Sequence, residues 1–315
     1  MNPNLSTSEP TRPPYSNRGV TLPVTITAET SDGPAFDAYC ATVYAHPMLV
    51  VQALQDGLTE AGYSPKVVDG PKVTNYASNT LLEAPDGSRI LSVRHGGMNF
   101  HPFVEAKSVQ SGVVADVLRA NFSHVPSRLD SAYDVRSPTA MADLHAIAKE
   151  FEAKYRLRLD YRGASLDNRD RGTTIYLGSR KSQAFVRIYE KGLQIAEQMG
   201  LVGDDIPDEL RDWVRIELEY KPDKRPARIK ATGLSPRALW GCSPWTREFA
   251  SVALALSVER VKMTERRETN QDRSMRYLVQ QYGPTIMRQV ELLGSWELFA
   301  QDLQKRLLVQ VEEPA

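Results

Sequence analysis

The chain has 315 residues, 41% hydrophobic and 25% charged, with 39 basic and 39 acidic side chains and a formal net charge of zero. This is the composition of a folded globular protein of one large or two ordinary domains rather than a disordered chain, and the zero net charge counts mildly against a protein that coats nucleic acid through bulk charge, while leaving room for local basic patches. Two cysteines, Cys40 and Cys242, form neither a disulfide framework nor a metal cluster, the longest apolar runs, such as Ser251–Val258, are too short to cross a bilayer, and the polar start carries no secretory signal, so a cytoplasmic protein with no membrane partner is expected.

Residues 1–19 are polar, hold four prolines and show no apolar periodicity, which predicts a disordered tail. Gly19–Thr27 alternates like a strand, and Pro23 suits an edge position. Asp37–Ala61 has apolar residues at helical spacing and stops before Gly62, with Pro47 breaking or kinking the helix. Thr80–Glu83 and Arg89–Arg94 flank Pro85-Asp-Gly87 and read as a hairpin. Val109–Asn121 reads as a helix, Val125–Val135 as a strand, and Thr139–Tyr155 as a helix capped by Thr139.

Strands are expected at 157–161, 173–178, 184–190 and 213–221, with a short helix at 192–200. From Ser235 the pattern is helical, in segments of about 235–241, 244–262, 272–281, 283–293 and 295–310. The order predicts an α+β fold with antiparallel sheets built from two ββα-type units and a helical C-terminal region. The expected divisions are a tail at 1–19, an α+β domain at 20–234 with halves of approximately 20–124 and 125–234, and a helical region at 235–315.

Three of the strands carry chemistry on one face. A strand points alternate side chains to opposite sides. Arg187 and Tyr189 therefore share a face opposite Val186 and Ile188, and Arg215, Glu217 and Glu219 share one opposite Ile216, Leu218 and Tyr220. Arg128, Asp130, Ala132 and Asp134 likewise oppose Leu129, Tyr133 and Val135. Apolar burial explains one side of each strand and leaves the other unexplained. Arg187 and Lys191 would attract a phosphate and favour the phenolate of Tyr189, and two or three of the carboxylates could hold Mg²⁺ or Mn²⁺ if the strands are neighbours. Salt-bridged strands with an amphipathic tyrosine are the structural alternative. The five histidines are scattered without a metal-ligand spacing, and Gly178-Ser-Arg-Lys-Ser182 reads equally as a phosphate-binding turn or a charged hairpin turn.

Tyr176-Leu-Gly-Ser-Arg-Lys-Ser182, Arg187-Ile-Tyr-Glu-Lys-Gly192, Trp213-Val-Arg-Ile-Glu-Leu-Glu219 and Ser127-Arg-Leu-Asp-Ser-Ala-Tyr-Asp134 together resemble the replication initiation factor (Rep_trans) family. Gln281-Tyr-Gly-Pro-Thr-Ile286 to Gly294 extends the likeness, which covers roughly residues 85–295. This family comprises rolling-circle initiators of plasmids and filamentous phages and related relaxases. The resemblance implies a metal-dependent nicking–closing endonuclease with 20–234 as its nicking domain, cutting one origin strand to leave a 5′-phosphotyrosyl enzyme and a free 3′-OH, and later rejoining the ends.

It implies Tyr189 as nucleophile, with Tyr176 second, and Asp130 and Glu217 as ligands of Mg²⁺ or Mn²⁺, with Asp134 and Glu219 as further candidates. Arg128, Arg180, Lys181, Arg187, Lys191 and Arg215 would contact DNA phosphates. Single-stranded or cruciform origin DNA, a host helicase and polymerase, and a second copy of the chain would be the partners. Many members open with a strand carrying an Asp, and the strand expected at 20–27 has none. A non-catalytic DNA-binding or regulatory protein of a plasmid or phage with the same fold is the alternative.

Overall fold

The structure is a computed structural model that describes residues 33–107, 109–163, 172–261, 263 and 270–312. The expected tail and the strand at Gly19–Thr27 lie outside the described residues. The chain begins β1 (Ala35–Val43), α1 (Pro47–Glu60), β2 (Lys66–Asp69), β3 (Ser78–Glu83), β4 (Arg89–Gly96), β5 (Asn99–Lys107) and α2 (Ser111–Asn121). It continues β6 (His124–Arg136), α3 (Ala140–Tyr155), β7 (Leu159–Arg162), β8 (Thr174–Gly178), β9 (Ala184–Glu190), α4 (Lys191–Met199), α5 (Asp208–Arg211) and β10 (Trp213–Tyr220). The rest is helical: α6 (Arg225–Ala231), α7 (Pro236–Leu239), α8 (Pro244–Ala253), α9 (Asn270–Leu293) and α10 (Trp296–Glu312).

The ten strands among the described residues join one sheet in the order β2-β3-β4-β5-β1-β6-β10-β9-β8-β7, and each neighbouring pair is antiparallel. The five strands before α2 occupy one half and the five after it the other, meeting at β1 and β6. Leu54 and Leu58 of α1, Leu118 of α2, Phe151 of α3 and Phe249 of α8 are buried in one core with Tyr39, Leu129, Ile188 and Ile216 of the sheet. Helices thus cover the face that carries the apolar alternates. At its centre Trp240 donates its ring N–H to Ser131 Oγ at 3.0 Å and stacks on Phe249 with centroids 6.2 Å apart. α4 and α5 form a smaller cluster through Leu193, Ala196, Ile206 and Leu210.

The chain divides into two compact units, residues 1–264 and 265–315. In the second, α9 and α10 pack against each other. Pro284 lies inside α9, so the two helices expected at 272–281 and 283–293 are one. Among the described residues no helix is long and apolar enough to cross a membrane.

The helix expected over 37–61 is corrected: its first third is strand β1. β1 runs between β5 and β6, so both of its faces are largely buried, and a short continuous apolar run does not distinguish such a strand from a helix. Pro47 does not kink a helix but starts one, at the first turn, where its missing N–H costs nothing. β2 and β5 were not anticipated. α8 stops at Ala253, short of the expected 262.

Candidate active site on the polar face of the sheet

Cross-strand register places the three motif strands side by side. Tyr189 lies opposite Arg215, which lies opposite Asp134; Arg187 lies opposite Glu217, and Glu219 opposite Asp130. Residues opposite one another point to the same side of a sheet. The polar sets of β6, β10 and β9 therefore form one continuous face, and β8 extends it with Tyr176 opposite Arg187.

Tyr189 is half-buried, and its hydroxyl donates to Glu217 Oε1 at 2.5 Å. The other oxygen of Glu217 takes a charge-assisted bond from Arg187. Arg215 forks onto both oxygens of Asp134 at 2.7 and 2.8 Å and reaches Asp37 at 3.1 Å. Arg128 pairs with the buried carboxylate of Asp130 and lies 3.0 Å from Glu219, which Lys221 meets at 2.5 Å. Lys191 opens α4 rather than continuing the strand; its ammonium bonds Gln194 and sits 6.0 Å from the Tyr189 ring centre.

The electrostatics correct one expectation. Burial, followed by the charge of Glu217, drives the Tyr189 phenol well above its ordinary value, although Arg215 opposes it. The neighbouring cations do not make a phenolate, because Arg187 is spent on Glu217. Burial and then Arg215 lower the Lys191 ammonium. Burial raises the Asp130 carboxyl against Arg128, with Glu219 and Glu217 adding to the rise. Burial also acts on Asp134 and Glu219, but Arg215 and Arg128 respectively, each with further neighbours, outweigh it and hold both carboxyls below their ordinary values.

Sequence reading missed Asp37. β1 carries a bulge against β6 between Phe36 and Ala38, and the extra residue brings Asp37 to Arg215. Burial, followed by Glu217, pushes its carboxyl up to about 6. β1 thus brings an acidic side chain to the polar face, on a segment whose sequence reads as helix.

Arg180 and Lys181 stand in the turn between β8 and β9 and make no ion pair with the described residues around Glu217. Tyr176 lies on the shared face, but Arg162 and Arg180 flank its ring at 5.6 and 5.5 Å. Among the described residues no three His, Cys, Asp or Glu side chains converge to hold a metal ion. Asp130 and Glu217 offer the hard oxygens that Mg²⁺ or Mn²⁺ takes, but Arg128, Arg187 and Tyr189 occupy those oxygens, so the arrangement as it stands does not fit the ion.

The helix-backed antiparallel sheet thus carries a tyrosine, carboxylates and arginines together on its other face. Residues 126–232, from β6 through α6, match the family described as replication initiation factor. The protein named "Putative DNA relaxase NicK" of Bacillus subtilis (strain 168) is 31% identical over 160 residues, a match that covers 48% of this chain and 44% of that protein. The chain therefore spans less than half the length of that curated relative. A rolling circle replication initiator protein from Geobacillus stearothermophilus has a solved structure that aligns with a TM-score of 0.45 at 16% identity, over 73% of this chain and 99% of that one.

Proposed function

We propose that this chain starts rolling-circle replication or DNA relaxation by nicking one strand of origin DNA with Tyr189. The observation that carries the reading is the 2.5 Å hydrogen bond from the Tyr189 hydroxyl to Glu217, within a face that also presents Arg187, Arg215 and Arg128. A raised phenol is a poor nucleophile unless a base takes its proton as it attacks. Glu217 is that base. The phenol oxygen forms a bond to the phosphorus, its proton passes to Glu217, and the phosphorus–O3′ bond breaks. The departing oxygen picks up a proton as the 3′-OH, and the 5′ phosphate stays on Tyr189. Attack by a 3′-OH on the phosphotyrosine reverses the step and rejoins the ends.

The arginines stabilise the charge that develops on the phosphoryl oxygens. Asp134 and Asp37 hold the Arg215 fork in place. Host helicase and polymerase would extend the 3′-OH. The resemblance brings Mg²⁺ or Mn²⁺ to this site, and an ion at Asp130 or Glu217 would compete with Arg128 or Arg187 for the same oxygens.

The test is a supercoiled plasmid bearing the origin, incubated with the protein with and without each ion. Open-circle product and a protein–DNA adduct that survives SDS are expected, and both vanish in Tyr189→Phe. An adduct that persists in Tyr189→Phe and disappears in Tyr176→Phe overturns the choice of nucleophile. DNA binding without nicking in the wild-type chain leaves a non-catalytic origin-binding protein.

A further inference from the structure

Tyr176 is better placed to hold DNA than to cut it. Its ring and that of Phe185 on β9 lie nearly parallel, at 16°, with centroids 5.8 Å apart. The Arg180 guanidinium sits 5.5 Å from the centre of each ring, and Arg162 sits 5.6 Å from that of Tyr176. Phe185 is buried although it is on the polar face, because Tyr176 and Arg180 cover it. Among the described residues neither Arg162 nor Arg180 has an ion-pair partner, whereas Arg128, Arg187 and Arg215 all do. Two guanidinium groups and an aromatic ring therefore lie together, and among the described residues no carboxylate pairs with either cation.

The turn that carries Arg180 is held in shape. Ser182 Oγ donates to the Ser179 and Ala184 carbonyls at 2.6 Å, and Lys221 donates to the Arg180 carbonyl at 3.1 Å. Gly178 enters it at a φ of +93°, which a residue with a side chain rarely adopts. Tyr176 lies directly across from Arg187, and Tyr189 is its diagonal neighbour, a separation of roughly 7–8 Å between adjacent strands. A base stacked at Tyr176 would thus belong to a nucleotide beside the phosphate at Tyr189.

We propose that Tyr176, Phe185, Arg162 and Arg180 form a stacking platform for the unpaired bases of single-stranded DNA next to the scissile phosphate. Unpaired bases fit because their faces are free to stack on a ring or a guanidinium, as those of a duplex are not, and the two cations answer the phosphate backbone. The proposal rests on the nicking reading only for the position of the scissile phosphate.

The test is fluorescence anisotropy with a fluorescein-labelled, mixed-sequence single strand and the corresponding duplex. It is done in a Tyr189→Phe background, so that no cleavage is needed. Stacking on a protein aromatic contributes about 1–3 kcal/mol per base, so Tyr176→Ala is expected to weaken single-strand binding about 5- to 150-fold. Tyr176→Phe keeps the ring and should restore it to within about threefold, less than the smallest loss expected from removing the stack. Arg180→Ala, in an exposed turn, gives a loss of the same kind without disturbing the sheet. Duplex binding changes much less in all three. Unchanged single-strand binding in Tyr176→Ala, or an equal loss for both DNAs, overturns the platform. Absence of any adduct in the wild-type chain overturns the nicking reading and leaves these binding results standing.

Discussion

Replacing Glu217 by Gln isolates the proton acceptor. Glu217 is only 2% exposed and makes two bonds, accepting from Tyr189 on one oxygen and from Arg187 on the other. Gln keeps the volume and can still accept from Tyr189, but it has no charge and cannot take up a proton at neutral pH. General-base assistance contributes about 10²–10⁴-fold, so adduct formation should slow by that factor, or about 2.7–5.4 kcal/mol of barrier. The variant also leaves Arg187 without its carboxylate. A charge-assisted bond contributes about 1.5–3 kcal/mol, and a chain of this size loses roughly 2–4 °C of Tm per kcal/mol, so Tm should fall about 3–12 °C. Glu217 helps to raise the Tyr189 phenol, so without it the phenol ionises more easily, and the rate of the variant should climb with pH more steeply than that of the wild type. The assay is the rate of SDS-resistant adduct formation at 25 °C, on protein shown to be folded by circular dichroism. A folded Glu217→Gln chain that reacts within about tenfold of wild type refutes Glu217 as the base.

Asp37 should leave a mark on stability against pH. Its carboxyl is raised from 3.8 to about 6, so between these values the folded chain holds more protons than the unfolded one, and the contribution of Asp37 falls as pH rises through that window and is level above it. Urea-melt free energies of wild type minus Asp37→Asn should therefore decline by up to about 3 kcal/mol between pH 4 and 6, and a rise instead would refute the burial argument. Gly192→Ala should destabilise the start of α4 by about 1–3 kcal/mol in the same melts, because a Cβ there would lie 1.7 Å from the Leu210 carbonyl oxygen; an unchanged melt would contradict that close approach. Trp240→Ala empties a fully buried site and breaks the bond to Ser131, so a loss of about 3–5 kcal/mol is expected, and less than about 1 kcal/mol would mean that the core beneath β6 is not packed as described.

The second half of the sheet was legible because β6, β9 and β10 alternate cleanly, one face apolar against helices and the other polar. Their mutual adjacency was not, since nothing in one sequence says that β10 inserts between β6 and β9. β1 was illegible for the opposite reason: it is buried on both sides and carries a bulge, so it has no alternation to read. β5 contains Pro102, which reads against a strand, and it lies where the β4–β5 register is irregular between Arg94 and Gly96. At the site, face counting placed Tyr189 beside Arg187, but the charge state of the phenol depended on a partner from another strand. Asp37 could not be found without the bulge.

Each strand of the site is two-sided: Arg187 and Tyr189 stand back to back with Val186 and Ile188, and Glu217 with Ile216 and Leu218. Losing or gaining one residue inside β9 or β10 would turn the core set toward the polar side and bury the charges beneath the helices. Within these strands, such a protein can change its chemistry by exchanging side chains but not by altering chain length. Variation in length has room at the strand ends, as in the turn at Ser179–Ser182, so insertions and deletions should concentrate there.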